Sequence, residues 1–180
     1  DEIDLYFSTF VKSMGSIGAF ISGPKAVIKY LRYNTRSQIF AKSLPLLIVE
    51  GMLKRMEMVI SMPELREKLW HNVNRLQQGL KDRGFDIGNT NSPVTPIYMK
   101  GDVPEATQMV MDLRENYHIF CSIVVYPVIP KGDIIYRLIP TAAHSDADID
   151  ETLAAFEAVK KKLDSGIYKA ADIPDMAEKM

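Results

Sequence analysis

Two apolar ladders joined at a single proline restrict the folds open to this chain. Leu46, Val49, Leu53, Met56 and Ile60 step by 3, 4, 3 and 4, and Leu65, Leu69, Val73, Leu76 and Leu80 step by 4, 4, 3 and 4. Each series lines up on one face of a 3.6-residue helix. Met62-Pro63 separates them; the proline ring removes a donor and disfavours helical geometry in the residue before it. Ser43-Leu44-Pro45 predicts the start of the first helix, with a hydroxyl cap and proline in the first turn. Gly84 predicts the end of the second, as its C-cap.

Upstream, Ile3–Phe7 is apolar and β-prone, a turn-rich stretch runs from Ser8 to Gly18, and Ala19-Phe20-Ile21 reads as a second short buried strand. Gly23-Pro24 then opens a helix carrying Val27, Ile28 and Leu31, with proline at its first position. The chain begins at Asp1 and enters a strand almost at once, without cap or linker, which predicts the C-terminal piece of a longer protein. Beyond Gly84 the rhythm changes. Phe85–Ile87, Val94–Met99, Ile119–Val125 and Ile134–Ile139 are predicted strands, and Pro104–Asn116 is a predicted helix. Ser145 caps a last helix through Leu163, with acids in its first turn and Lys160-Lys161-Lys162 in its last, as the helix dipole favours. The predicted class is α/β. Residues 1–61 read as the end of a larger domain, 62–168 as a small α+β domain of helices on a mostly antiparallel sheet, and 169–180 as a polar tail.

Composition narrows the function classes. The 180 residues are 47% hydrophobic and 25% charged, an ordinary globular balance. Lys and Arg number 22 against 23 Asp and Glu, giving a net charge of −1, so no global field attracts nucleic acid or an anionic membrane. No apolar run approaches the roughly 20 residues of a membrane span. A lone cysteine, Cys121, leaves no intrachain disulfide and no cysteine-based zinc site, and suits a reducing, cytoplasmic setting.

Two residues stand out for chemistry. Lys12 lies in Thr9-Phe10-Val11-Lys12-Ser13-Met14-Gly15, just past a predicted strand and within a loop of small residues. Open α/β sheets bind ligands beyond their strand ends. A partly desolvated lysine there loses its proton more readily and attacks a carbonyl to form an imine. Thr9 could offer a hydroxyl to an anion, and Gly15 and Gly18 let backbone approach a bulky ligand; the plainer reading is an ordinary loop lysine. Arg137 sits in Ile134-Ile135-Tyr136-Arg137-Leu138-Ile139, where both strand faces read as apolar. It therefore needs an anionic partner or an exit to solvent. A substrate carboxylate, a structural ion pair and a snorkelling side chain all satisfy that need. His71, His118 and His144 read as structural or loop residues, Cys121 as core, and Arg32 and Arg36 as a solvated helix end.

Taken together, these segments resemble the α-oxoamine synthases, pyridoxal-phosphate enzymes of the aspartate-aminotransferase fold (fold type I). The resemblance rests on Thr9–Gly18 as the lysine motif and on Leu31-Arg32 through Ser43-Leu44-Pro45. It rests further on Ser92-Pro93-Val94-Thr95-Pro96, and on Tyr126-Pro127-Val128-Ile129-Pro130-Lys131-Gly132 followed by Arg137 and Ala143-His144. It implies that Lys12 holds pyridoxal 5'-phosphate covalently and moves protons at the substrate α-carbon. Thr9 and Ser43 would contact the cofactor, and Arg137 would bind the substrate carboxylate. The implied reaction condenses an amino acid with an acyl-CoA to an α-amino ketone, in a homodimer. Within the family, the Tyr-Pro-Val-Ile-Pro-Lys-Gly stretch and Leu69-Trp70-His71-Asn72 look most like the 2-amino-3-ketobutyrate CoA ligase branch. The serine palmitoyltransferase and 8-amino-7-oxononanoate synthase branches stand close by. An aminotransferase and a non-catalytic module are the competing readings, and the fragment by itself is expected to be inactive.

Overall fold

The computed structural model describes residues 3–170. They form two compact units, divided between Pro63 and Glu64.

The first unit opens with β1 (Tyr6–Thr9) and β2 (Ala19–Ser22), an antiparallel pair in which Thr9 lies opposite Ala19. The expected strand is two residues nearer the N-terminus, because the aromatic pairing sets the register: the Phe20 ring lies 5.8 Å from Tyr6 and 5.4 Å from Phe10. Neither strand is buried, contrary to expectation; Phe7 is 65% exposed and Ile21 40%. A two-stranded ladder covers neither of its own faces. Three helices follow: α1 (Lys25–Asn34), α2 (Arg36–Ile39) and α3 (Leu46–Ser61).

Both proline starts are displaced. Pro24 and Pro45 are the N-caps rather than first-turn residues, each with extended ψ, and Ser43 makes no capping hydrogen bond. The reason at Ser43 is local. Capping from there would require Leu44 to be helical, and a residue preceding proline avoids that geometry. The apolar ladder of α3 forms as a face but is largely exposed, with Leu53 at 66% and Ile60 at 74%; the buried position is Met52. Periodicity reports that a face is apolar, not what covers it.

In the second unit α4 (Pro63–Asp82) begins at the expected proline. Its end is a Schellman turn: Phe85 N–H donates to the Leu80 carbonyl and Gly84 N–H to that of Lys81, with Gly84 at φ +73°. Three strands follow, β3 (Thr95–Lys100), β4 (Ser122–Val124) and β5 (Asp133–Leu138), all antiparallel in the order β3-β5-β4. The strand expected at Phe85–Ile87 is reduced to one bridge, Asp86 to Tyr98. There the Asp86 carboxylate accepts from Gly88 N–H at 2.9 Å and turns the chain away.

Helix α5 (Val103–Tyr117) carries a capping box of Asp102 and Glu105, and α6 (Asp146–Asp164) one of Ser145 and Asp148. The first was legible as Asp-x-x-Glu, yet the expected helix began at Pro104. One sheet face, Ile97 with Ile134, Tyr136 and Leu138, packs against Leu76 and Leu80 of α4, Met109 and Leu113 of α5, and Leu153 and Phe156 of α6. After α6 a 3-10 turn, Ile167–Ala170, buries Tyr168 and carries regular structure two residues into the expected tail. Residues 171–180 of that tail lie outside the described residues.

Candidate functional site: the lysine loop and the arginine strand

The loop between β1 and β2 is closed by backbone hydrogen bonds. Phe10 N–H donates to Gly18 O at 3.0 Å, Ser16 N–H to Phe10 O at 2.9 Å, and Gly15 N–H to Lys12 O at 3.1 Å. Lys12 thus starts a tight turn that Gly15 completes at φ +53°, a conformation that an L side chain adopts only at a cost. Gly18 serves a different need. A β-carbon there would come within 2.8 Å of Leu44 Cδ1, so its hydrogen lets the Ser43-Leu44-Pro45 segment lie against the loop.

Lys12, Thr9 and Ser43 are all exposed. The strand before Lys12, read from sequence as buried, is an open ladder, so the lysine is presented rather than sequestered. Among the described residues Lys12 takes part in no ion pair. Lys12 thus offers a primary amine at a glycine-closed turn, and Thr9 and Ser43 carry hydroxyls at the strand end and beside Leu44; these are the group types that an aldehyde bearing a phosphate would need.

Arg137 belongs to the other unit. The burial of β5 alternates, with Ile134, Tyr136 and Leu138 inward and Arg137 outward. Only one strand face is therefore enclosed, and Arg137 takes the exit to solvent rather than a carboxylate partner. Its Nε–H donates to Ser122 Oγ at 3.1 Å across the β4–β5 pair.

The remaining candidates are structural. His144 Nδ1 accepts from Thr141 N–H at 3.0 Å, which shapes the turn before α6. His71 Nε2 and Lys68 both reach Asp146, and those contacts hold its carboxyl below the ordinary range. The hydrogen bond from Ser145 N–H does the same for Asp148. Burial pushes the Cys121 thiol up to about 11, so it is inert core. A surface cleft of about 510 Å³ holds His144, Asp148 and Glu151 but is not lined by Arg137. Among the described residues no group of three or more His, Cys, Asp or Glu could hold a metal ion, and no helix is long and apolar enough to cross a membrane.

Sequence reasoning used Asn72 only as part of the Leu69-Trp70-His71-Asn72 resemblance and missed its structural role: it is fully buried and donates to the carbonyls of Thr141 and His144. Its signal was a polar residue three positions after Leu69, on the apolar face of α4.

Comparison with known proteins fixes the family. The model of class I and II aminotransferases matches residues 1–156. This chain belongs to that family. The chain is 65% identical over 170 residues to a cysteate-C-fatty acyltransferase of Capnocytophaga ochracea, covering 94% of this chain and 40% of the relative. It is 37% identical over 176 residues to a serine palmitoyltransferase of Sphingobacterium spiritivorum (98% and 42% covered). With an 8-amino-7-oxononanoate synthase of Petrotoga mobilis it shares 35% over 163 residues (91% and 41% covered). The aminotransferase-family chain therefore spans about two fifths of the length of the curated relatives it matches. A solved serine palmitoyltransferase with its pyridoxal-phosphate internal aldimine superposes with TM-score 0.82 at 28% identity, over 90% of this chain and 41% of that one. An 8-amino-7-oxononanoate synthase from Francisella tularensis shares the fold at TM-score 0.77 and 20% identity. The fold is thus that of pyridoxal-phosphate enzymes, and the resemblance read from the lysine loop and the closing segment holds.

Proposed function

We propose that the intact protein is a pyridoxal-phosphate-dependent C-acyltransferase that joins an acyl-CoA to an amino acid, with cysteate as the amino acid and a long fatty chain as the acyl group. The observation that carries this reading is the 65% identity, over 94% of the chain, to a cysteate-C-fatty acyltransferase. It favours that branch over the 2-amino-3-ketobutyrate CoA ligase branch that the Tyr126–Gly132 motif brought forward.

The residue roles are those the family resemblance implies, and the donor chemistry of each residue is compatible with its role. Lys12 would be the amine that holds the cofactor aldehyde, and its free amine would take and return the proton at the substrate α-carbon. Thr9 and Ser43 offer hydroxyls to the cofactor phosphate. Arg137 holds the substrate carboxylate through its planar fork. The cofactor, when bound, supplies an electron sink at the α-carbon. A carbon–carbon bond would form between that carbon and the acyl carbonyl as the thioester C–S bond breaks and the CoA thiol leaves; the cysteate carboxylate would leave as CO2, and the proton returned by Lys12 would take its place at the α-carbon, giving the α-amino ketone. The family's shared-site homodimer is the assembly we assign.

Two measurements test this on the full-length protein. Borohydride reduction with pyridoxal phosphate, followed by peptide mapping, is expected to label Lys12; a label on any other lysine overturns the assignment. Turnover is then compared across cysteate, serine, alanine and glycine with palmitoyl-CoA and acetyl-CoA. Cysteate with palmitoyl-CoA is expected to give the highest kcat/KM, and a preference for glycine with acetyl-CoA sinks the substrate reading.

A further inference from the structure

Ser122 and Arg137 lie directly opposite each other in the β4–β5 ladder, so their side chains rise from the same sheet face. That face is the one turned away from the core, because Ile134, Tyr136 and Leu138 of β5 point the other way. Three arginines among the described residues have hydrogen-bonded side chains, and they are held in different ways. Arg75 makes a two-pronged ion pair with Asp150, at 2.9 and 2.7 Å. Arg83 is shared between Gly79 O at 3.0 Å and Glu157 at 3.4 Å. Arg137 alone is held by a neutral side chain, the Ser122 hydroxyl.

The difference has a chemical consequence. A carboxylate partner orients a guanidinium but also neutralises it. A hydroxyl accepts one N–H, restricts the side chain's rotation and leaves the full positive charge in place. With Nε–H occupied, the two terminal nitrogens remain as a parallel pair of donors, the geometry that binds a carboxylate through two hydrogen bonds. Restricting a rotamer-rich side chain before the ligand arrives removes part of the entropy cost of binding.

We infer that Ser122 is a positioning residue for Arg137, aiming its terminal guanidinium nitrogens at the carboxylate of the amino-acid substrate. This rests on the reading of Arg137 as the carboxylate binder, and the experiment separates the two. In the full-length, cofactor-loaded protein, Ser122→Ala raises both the KM and the calorimetric Kd for cysteate about five-fold, the worth of one net hydrogen bond. The KM for palmitoyl-CoA stays put, and kcat at saturating cysteate moves by less than about two-fold. Ser122→Thr, which keeps the hydroxyl, restores both constants. With no guanidinium left to aim, Ser122→Ala adds nothing on an Arg137→Ala background. If Arg137→Ala weakens cysteate binding and Ser122→Ala does not, the positioning role falls and the Arg137 assignment stands. If Arg137→Ala leaves cysteate binding unchanged, the Arg137 reading falls and takes this inference with it. A Ser122→Ala variant whose kcat and palmitoyl-CoA KM shift as far as its cysteate KM has a general structural defect, which also overturns the role.

Discussion

Asn72 and His144 are joined by a partly buried hydrogen bond of 2.9 Å from Asn72 Nδ2 to the His144 carbonyl, and the same nitrogen donates to the Thr141 carbonyl at 2.9 Å. One amide on α4 thus braces the turn that precedes the α6 capping box, and His144 Nδ1 closes that turn from within. The orientation of the amide is dictated by its partners, since only its NH₂ end can face two carbonyls. Asn72→Ala leaves two acceptors without a donor and should cost about 2–4 kcal/mol. Asn72→Asp should cost more, because a carboxylate would be buried against two carbonyl oxygens. Urea denaturation followed by far-UV circular dichroism ranks the two variants; an Asp variant as stable as the Ala variant would contradict the bracing role.

Gly79 supplies a case where two effects oppose. It sits in α4, fully interior, where alanine improves helix propensity by about 1 kcal/mol. A β-carbon there, however, would lie 2.9 Å from Leu153 Cδ2 and closer still to Cδ1. Overpacking a fixed contact costs about 1–3 kcal/mol, and Leu153 is 4% exposed with little room to turn. The clash should win, so Gly79→Ala destabilises. Adding Leu153→Ala to Gly79→Ala should then cost less than Leu153→Ala in the parent, and a thermal melt of the four proteins reads that coupling. A Gly79→Ala variant more stable than its parent would show that propensity dominates.

What the sequence made legible was local and steric. Pro63 opening α4, Gly84 ending it and Ser145 capping α6 each follow from one residue's backbone chemistry. The Arg137 strand was placed within a residue. What stayed hidden depended on neighbours. Both faces of β5 carry apolar residues, so alternation could not reveal that only one is covered. Ser43 looked like a cap because its own propensity is right, and it was overruled by Leu44 standing before Pro45. The Ser122 hydroxyl carries no signal by itself; it acquires meaning only from a register that sets it opposite Arg137. The lysine loop was found by motif, but its closure by Gly18 against Leu44 is a tertiary fact.

Asp112 links pH to the 3-10 turn at Ile167–Ala170. Desolvation pushes its carboxyl upward, but hydrogen bonds from Lys162, Tyr168 and Asn116 outweigh that and hold it below the ordinary carboxylate range. Tyr168 Oη donates at 2.5 Å and Lys162 Nζ at 2.7 Å, so α5, α6 and the Ile167–Ala170 turn meet on one carboxylate. A carboxyl depressed by folding adds stability that is complete above its unfolded value, near pH 4, and is lost as pH falls through the lower folded value. Asp112→Asn should therefore be less stable than the parent at pH 7, and the gap should narrow steadily below about pH 4. Tyr168→Phe should destabilise by about 1–2 kcal/mol at pH 7, and it should lose part of that penalty in acid as the carboxylate it served becomes protonated. Chemical denaturation at pH 7, 5 and 3 measures both trends; a gap between the parent and the Asp112→Asn variant that holds constant down to pH 3 would show that Asp112 contributes through packing rather than charge.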